Sequence, residues 1–348
     1  MMLDFGLDTV KSTLSTWTTK IAKSPQRIEA ERLCQEFTGT ASRTLAKRLS
    51  DSHQITLEQA RTIIRSVRGN HGEKSKKTAT SPRPNGHAGT KPTLPPSIAD
   101  PWKPFGLGNG IKVAILSDLH VPYHSEVAVS SAVKYCVSRS PDVVLINGDL
   151  ADFYSISRHQ KDPSKRDFKA EVTAVQKTLE WIRSEFPEAR IVLKAGNHEE
   201  RWQHWLWNCA PEISNFERMT LEQWIDAPEH GIEVVTDQRP VMCGRLPVMH
   251  GHEIGKGISA PVNAARGLFL RTTSTMLQSH CHRTSQHVEP DWRHLDTATW
   301  SIGCLCDMNP EYARINKWNH GFGFVTVDDA GEFHVENLRL SVSGDLWR

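Results

Sequence analysis

Five short apolar runs in this chain each end in residues able to hold a metal ion or a phosphate. The run over residues 113–117 ends in Asp118-Leu119-His120, and the run over 143–147 ends in Gly148-Asp149-Leu150-Ala151-Asp152. The run over 191–193 leads through Lys194-Ala195 to Gly196-Asn197-His198-Glu199. Downstream, the run over 246–249 ends in His250-Gly251-His252, and that over 275–278 ends in Ser279-His280-Cys281-His282. Carboxylate, amide and imidazole groups gathered in this way read as a metal site. The mixed N/O set suits Mn, Fe, Zn or Ni and is too rich in imidazole for Mg or Ca. The third block also opens a helical stretch, residues 200–209. A helix N-terminus offers free N–H groups and a favourable dipole to an anion.

Strand-forming runs must bring these blocks together. Ligands in open α/β sheets gather at the carboxyl ends of strands, where all five blocks fall. Helical patterns separate the runs. One covers residues 126–138. Another covers 167–186, with Phe168, Val172, Val175, Leu179 and Ile182 on one face and Pro187 ending it. Trp202, Trp205 and Leu206 make the apolar face of the 200–209 helix and read as core, not as stacking platforms. Thr220-Leu221-Glu222-Gln223 reads as the start of a further capped helix. After residue 231 strands dominate, over 232–235, 241–249, 322–327 and 333–338. The body is therefore α/β.

The order of blocks, D-x-H, G-D-x-x-D, G-N-H-E, H and then x-H-x-H, resembles the calcineurin-like metallophosphoesterase superfamily. The blocks span Asp118 to His282. One departure is Ser279, where the family has Gly at a tight turn. The resemblance implies a four-layer α/β/β/α sandwich of two mixed sheets. It implies two divalent ions, Mn first among Mn, Fe, Zn and Ni. One ion would take Asp118, His120, Asp149 and His282; the other would take Asp149, Asn197, His250 and His280. Asp149 is the bridge, since a carboxylate can span two ions and a neutral imidazole cannot. A pair of ions ~3.5–4 Å apart can clamp the attacking and leaving oxygens of an in-line displacement, here with a bridging hydroxide as nucleophile. His198 is a catalytic residue in this scheme and not a ligand: it would protonate the leaving oxygen or steady the transferring phosphoryl group. Asp152 would orient it. Arg201 and Arg283 flank the blocks and could hold phosphate oxygens. His252 reads as a support to the ligands. Ser155-Ile156-Ser157-Arg158 and Asn309-Pro310-Glu311-Tyr312 add a likeness to phage- and prophage-encoded members.

The whole chain has 348 residues, 38% of them hydrophobic and 24% charged, which fits a soluble globular protein. No apolar run is long enough to span a bilayer. Residues 1–20 carry Asp4 and Asp8 and do not read as a signal peptide. The seven cysteines show no framework, and Cys304 and Cys306 read as buried thiols. Together these features point to the cytoplasm, that of the host if the chain is phage-encoded.

Charge divides the chain. Residues 1–100 carry 16 Lys and Arg against 9 Asp and Glu, while the remainder carries 26 against 31. A basic arm on an acidic body suggests a polyanionic partner. Residues 1–70 read as a small helical module. Ser42 to Ser50 would form one helix and Asp51 to Ile55 a polar turn. A capping box at Thr56-Leu57-Glu58-Gln59 would then open a second helix, ending near Gly69. Its apolar face is Leu57, Ala60, Ile63, Ile64 and Val67; Arg61, Arg65 and Arg68 lie on another. This resembles a helix-turn-helix unit and makes DNA or RNA a candidate partner of those arginines. Residues 71–100, rich in Gly, Ser, Pro and Lys, read as a flexible tether, and 101–348 as the catalytic domain.

The expected activity is metal-dependent hydrolysis of phosphate esters, with a phosphodiesterase or nuclease acting on nucleic acid or nucleotides favoured by the basic arm. A phosphomonoesterase and a protein phosphatase are alternatives. The protein phosphatase pattern extends the second block to an Arg, where this chain has Phe153. An alternative of another class is a DNA-binding protein whose phosphoesterase body is not catalytic. The intact ligand set weighs against that.

Overall fold

The computed structural model describes residues 23–69, 93–255 and 262–347, which fall into two compact units, Met1–Ser97 and Ile98–Arg348. Most of the tether read over 71–100 lies outside the described residues; residues 93–100 have no regular structure.

The first unit contains helices α1 (Pro25–Glu36), α2 (Ser42–His53) and α3 (Leu57–Arg68). They pack around Ala30, Leu33, Leu45, Ala46, Leu49, Ala60 and Ile64. Three residues, Gln54 to Thr56, join α2 to α3, with Gln54 at a left-handed φ of 52°. The Thr56–Gln59 capping box is formed as read from the sequence. The polar turn begins later than expected, because α2 continues through Asp51 to His53. Helix α1 escapes a sequence reading: its apolar residues are few and it is closed by Glu–Arg pairs such as Arg32–Glu29 at 2.7 Å.

The second unit is a four-layer α/β/β/α sandwich. The larger sheet has the order β13-β12-β11-β2-β3-β4-β5 and the smaller β1-β6-β7-β8-β10-β9. In the larger sheet, β2 (Ile111–Leu116), β3 (Val143–Asn147), β4 (Arg190–Lys194) and β5 (Ile232–Val235) run parallel. The antiparallel strands β11 (Gly321–Val327), β12 (Phe333–Leu340) and β13 (Leu346–Trp347) extend it. Its central strands are apolar on both faces because both faces are covered. Ala114, Leu116, Val144, Ile146, Ile191 and Leu193 face α4 (Glu126–Ser138), α5 (Phe168–Glu185) and α6 (Glu200–Cys209). Their sequence neighbours Val113, Ile115, Val143, Leu145 and Val192 face the smaller sheet. Trp202 lies in the helical layer, stacked on Phe168 with ring centroids 5.6 Å apart.

The smaller sheet contains β1 (Phe105–Gly108), β6 (Val241–Cys243), β7 (Leu246–Met249), β8 (Met276–Gln278), β9 (Ser285–Pro290) and β10 (Asp296–Ser301). Two expectations are corrected here. The 241–249 run is a hairpin and not one strand, turning at Gly244 with φ 58°. The helix opened at Thr220 is only the short α7 (Leu221–Trp224), without a side-chain cap. Helix α8 (Ala264–Thr272) covers the outer face of this sheet and buries Ala264, Ala265 and Leu268. Among the described residues no helix is long and apolar enough to cross a membrane.

Candidate metal centre

The carboxyl ends of β2, β3 and β4 in one sheet and of β7 and β8 in the other meet at one spot. They bring together the seven ligand-type residues read from the sequence. Five of these hold left-handed backbone: Asp118 (φ 54°), His120 (52°), Asp149 (52°), His280 (62°) and His282 (55°). That region is uncommon for residues with a Cβ and clusters at functional sites. Close approach at Gly196 lets the loop in: a Cβ there would collide with the Asp149 carboxylate and backbone.

Asp149 stands at the middle. Its Oδ2 lies 3.2 Å from His250 Nε2, 3.8 Å from His120 Nε2 and 3.9 Å from His198 Nε2. Nitrogen and oxygen atoms of Asp149, His250 and His280 lie within 4.8 Å of one another, as do those of His120, Asp149 and His198. Asp118 Oδ1 is 3.0 Å from His282 Nε2, which is 3.3 Å from His120 Nε2.

The donor set fits divalent cations. Two imidazole nitrogens facing each other at 3.3 Å repel through their lone pairs unless a proton or a cation lies between them. Asn197 Oδ1 is buried and has no hydrogen-bond partner among the described residues. A buried acceptor left alone in this way requires a partner. The ring nitrogens turned away from the centre are tied down, as ligating histidines require. His250 Nδ1 donates to Asn147 O at 2.8 Å, and His120 Nδ1 to Asp152 Oδ1 at 3.0 Å.

Asp152 touches two histidines. The Asp152 carboxylate sits closer to His120 than to His198, whose Nδ1 is 3.3 Å from Oδ1 and 2.9 Å from the Asp152 carbonyl. Arg201 is also nearer the chemistry than its flanking position implied. Its guanidinium donates to the Asp152 carbonyl at 2.7 Å and reaches His198 Nε2 at 2.9 Å. Arg283 is half-buried beside His282, next to a Cys281 thiol that burial pushes up and the charges of Arg271 and Arg283 only partly offset. His252 pairs with Glu200 at 3.0 Å, its ring centroid 5.4 Å from that of His250. Cys304 and Cys306 are buried, and Cys306 Sγ lies 3.9 Å from His282 Nδ1.

Several further residues support the centre in ways that the sequence does not disclose. Glu199 is buried and accepts backbone N–H bonds from Asp149, Ala151 and Gly196 at 2.8–2.9 Å, fastening two ligand loops together. The Ser279 hydroxyl takes 2.9–3.1 Å bonds with Asn147 Nδ2, Asn147 O and His250 O. The glycine of the family pattern is therefore not missed here: the position has ordinary backbone and its side chain is used. Lys194 and Glu253 form an ion pair at 2.6 Å, both buried.

Without cations, protons supply the positive charge. Burial opposes ionisation of His250, but the Asp149 carboxylate outweighs it and holds the ring at about 10. Burial likewise opposes the charge on His282, and Asp118 raises it to about 9. Burial pushes Asp118 up, and His282 more than offsets it, leaving about 2. Desolvation and the His250 charge take His280 down to about 4. These values give a pH dependence. A raised histidine pKa contributes stability that is complete below the unfolded value of 6.5 and is lost as pH rises through 9 and 10. Metal-free protein should therefore melt at progressively lower temperature from pH 7 to pH 10. Loading with Mn²⁺ at pH 7 should release about two protons per chain, because the ligating imidazoles must be neutral. Scanning calorimetry in chelator, and calorimetric titration in buffers of different ionisation enthalpy, check the two outcomes.

A family model described as calcineurin-like phosphoesterase matches residues 111–311. The Gene 54 proteins of Mycobacterium phages D29 and L5 are 25% and 24% identical, each covering 68% of this chain and 98% of its relative. Among solved structures, the yellow lupin purple acid phosphatase PPD1 is 13% identical with a TM-score of 0.38, covering 70% of this chain and 54% of the lupin protein.

Proposed function

The chain belongs to the calcineurin-like phosphoesterase family and is a metal-dependent phosphoric ester hydrolase, and from that premise we propose that it cleaves phosphodiesters of nucleic acid or nucleotides at a pair of divalent transition-metal ions. The observation that carries the reading is Asp149, a carboxylate flanked by two separate sets of imidazole donors. Asp118, His120, Asp149 and His282 would hold one ion, and Asp149, Asn197, His250 and His280 the other, with Mn first among Mn, Fe, Zn and Ni. The ions, when bound, supply the charge that lowers the pKa of the attacking water and stabilises an in-line displacement. His198, at the mouth of α6, handles the proton of the leaving oxygen, and Arg201 beside it offers its guanidinium to phosphate oxygens. A protein phosphatase is disfavoured because Phe153 is buried against Phe168, with ring centroids 5.8 Å apart, and brings no cation to the site.

Metal analysis on Mn-loaded protein should find two ions per chain. Asp149→Asn should weaken both sites and abolish turnover of methyl p-nitrophenyl phosphate. At most one ion in saturated wild-type protein would overturn the two-ion reading. Turnover of monoesters alone would favour a phosphomonoesterase.

The basic helical unit supports a nucleic-acid partner. Arg65 is exposed on α3, and Arg61 makes a 3.1 Å contact to exposed Glu58. Arg68 instead donates to Ser42 Oγ at 3.0 Å and the Phe37 carbonyl at 3.1 Å, so it belongs to the unit's own structure. Replacing Arg61 and Arg65 by Ala should weaken DNA or RNA binding and reduce the log–log salt slope by about 1–2, at ~0.9 per lost phosphate contact. Hydrolysis of the small diester should not change. Unaltered affinity and slope would remove α3 from the interface.

A further inference from the structure

Two adjoining cavities, about 210 Å³ and about 880 Å³, share Asp152, Tyr154, Glu311 and Tyr312 as walls. The smaller reaches His120 and the larger reaches Asn197, His198 and Arg201, so together they form one cleft leading to the metal centre. Tyr123, Tyr154 and Tyr312 come to it from three separate segments. Tyr154 is tied down, its hydroxyl accepting from Asp162 N at 2.6 Å. Tyr312 is different: it is 69% exposed, on a loop that is nonetheless stapled. Asn309 Nδ2 donates to the Arg314 carbonyl at 3.0 Å, and Arg314 Nη1 returns a bond to the Asn309 carbonyl at 2.9 Å. Asn316 Nδ2 donates to the carbonyls of Met308 and Ala313 at 2.6 and 2.7 Å. A Lys165–Glu311 pair at 2.6 Å links this loop to the turn at Pro163–Lys165.

An exposed aromatic ring held on a preorganised loop gives up little entropy on binding a flat partner. The Tyr312 ring lies 6.2 Å from Trp318, whose ring is 4.1 Å from that of His282, so an aromatic path runs from the cleft to a ligand histidine. Lys161, Lys165 and Arg314 line the same cleft beside Asp162, Asp307 and Glu311, so charge of both signs surrounds the ring.

We propose that this cleft is a nucleobase subsite, in which Tyr312 stacks on the base next to the scissile phosphodiester. The proposal rests on the phosphodiesterase reading above and narrows its substrates to those carrying a base beside the bond cleaved.

The test compares two diesters with the same leaving group, thymidine 5′-(p-nitrophenyl phosphate) and methyl p-nitrophenyl phosphate. In Tyr312→Ala the ratio of kcat/KM, thymidine over methyl ester, should fall about 5- to 150-fold, the range for loss of one base–aromatic stack. Tyr312→Phe keeps the ring and should keep the ratio. An unchanged ratio in Tyr312→Ala would overturn the subsite. If wild-type protein turned over neither diester, the phosphodiesterase reading would fail on its own. Calorimetric binding of thymidine 5′-monophosphate would then read the subsite directly: a matching loss of affinity in Tyr312→Ala supports it, and equal affinity overturns it.

Discussion

His198→Ala should keep both metal ions and lose about 10²–10⁴ in kcat, the range for general acid–base catalysis. The geometry separates this residue from the ligands. A carbonyl oxygen only accepts, so the 2.9 Å contact to Asp152 O places the proton of the neutral ring on His198 Nδ1. Nε2 is then the acceptor, and it takes a hydrogen from Arg201 Nη2 at 2.9 Å. Both nitrogens thus have protein partners, although Nε2 also lies 3.9 Å from Asp149 Oδ2. To donate to a leaving oxygen, Nε2 must gain a proton and Arg201 must move away, which phosphate oxygens would favour by drawing the guanidinium to themselves. The loss in His198→Ala should therefore be smallest for p-nitrophenolate, which leaves without protonation, and larger for an alkoxide. Equal losses for both would mean that His198 positions phosphate. Loss of an ion would make it a ligand. Asp152→Asn should differ in kind. Its Oδ1 holds His120 at 3.0 Å, so it should cost roughly 10–100-fold in metal affinity, as outer partners of ligating histidines do.

The contrast between these two residues bears on what the sequence discloses. The candidate ligands stood out because metal binding restricts them to a few residue types, and because each follows a short apolar run that reads as a strand. Strands β3 and β5 and helices α4 and α6 fall at the positions their patterns predict. Supports were less legible, since the partner each one meets is distant in the chain and set by the fold. Asp152 is equally well spaced to hold His120 or His198, and only the fold decides that its carboxylate favours the former. Glu199 belongs to the G-N-H-E block, but nothing in the block says that its bonds go to Asp149 and Ala151, some fifty residues earlier. The turn of the β6–β7 hairpin is marked by two residues alone, Gly244-Arg245, within an otherwise continuous apolar run. Strands β9 and β10 pair at one edge of the smaller sheet, and β9 is largely exposed, so it lacks the apolar run that marks a buried strand.

Lys194→Met should destabilise the catalytic unit by about 3–5 kcal/mol, the usual consequence of stranding one partner of a buried ion pair. Lys194 ends β4, where a lysine normally reaches water, but here both it and Glu253 are buried and their charges meet at 2.6 Å. The carboxylate does more than pair. It accepts the backbone N–H groups of His250 at 3.2 Å and Gly251 at 2.6 Å, so it fixes the loop that carries a ligand histidine. Desolvation pushes the Glu253 carboxyl up, and the Lys194 charge outweighs it, lowering the group from 4.5 to about 2. A depressed carboxyl pKa contributes stability that is present above the unfolded value of 4.5 and is lost as pH falls towards 2. Urea melts of metal-free wild type should thus lose stability between pH 5 and pH 2, and Lys194→Met should show a much smaller acid-dependent loss. Replacing both partners by apolar residues, Lys194→Met with Glu253→Leu, should recover only part of the loss, because two backbone donors then lack their acceptor. Full recovery would reduce Glu253 to a countercharge. A loss below about 1 kcal/mol in Lys194→Met, the value of an exposed pair, would mean that water reaches the carboxylate.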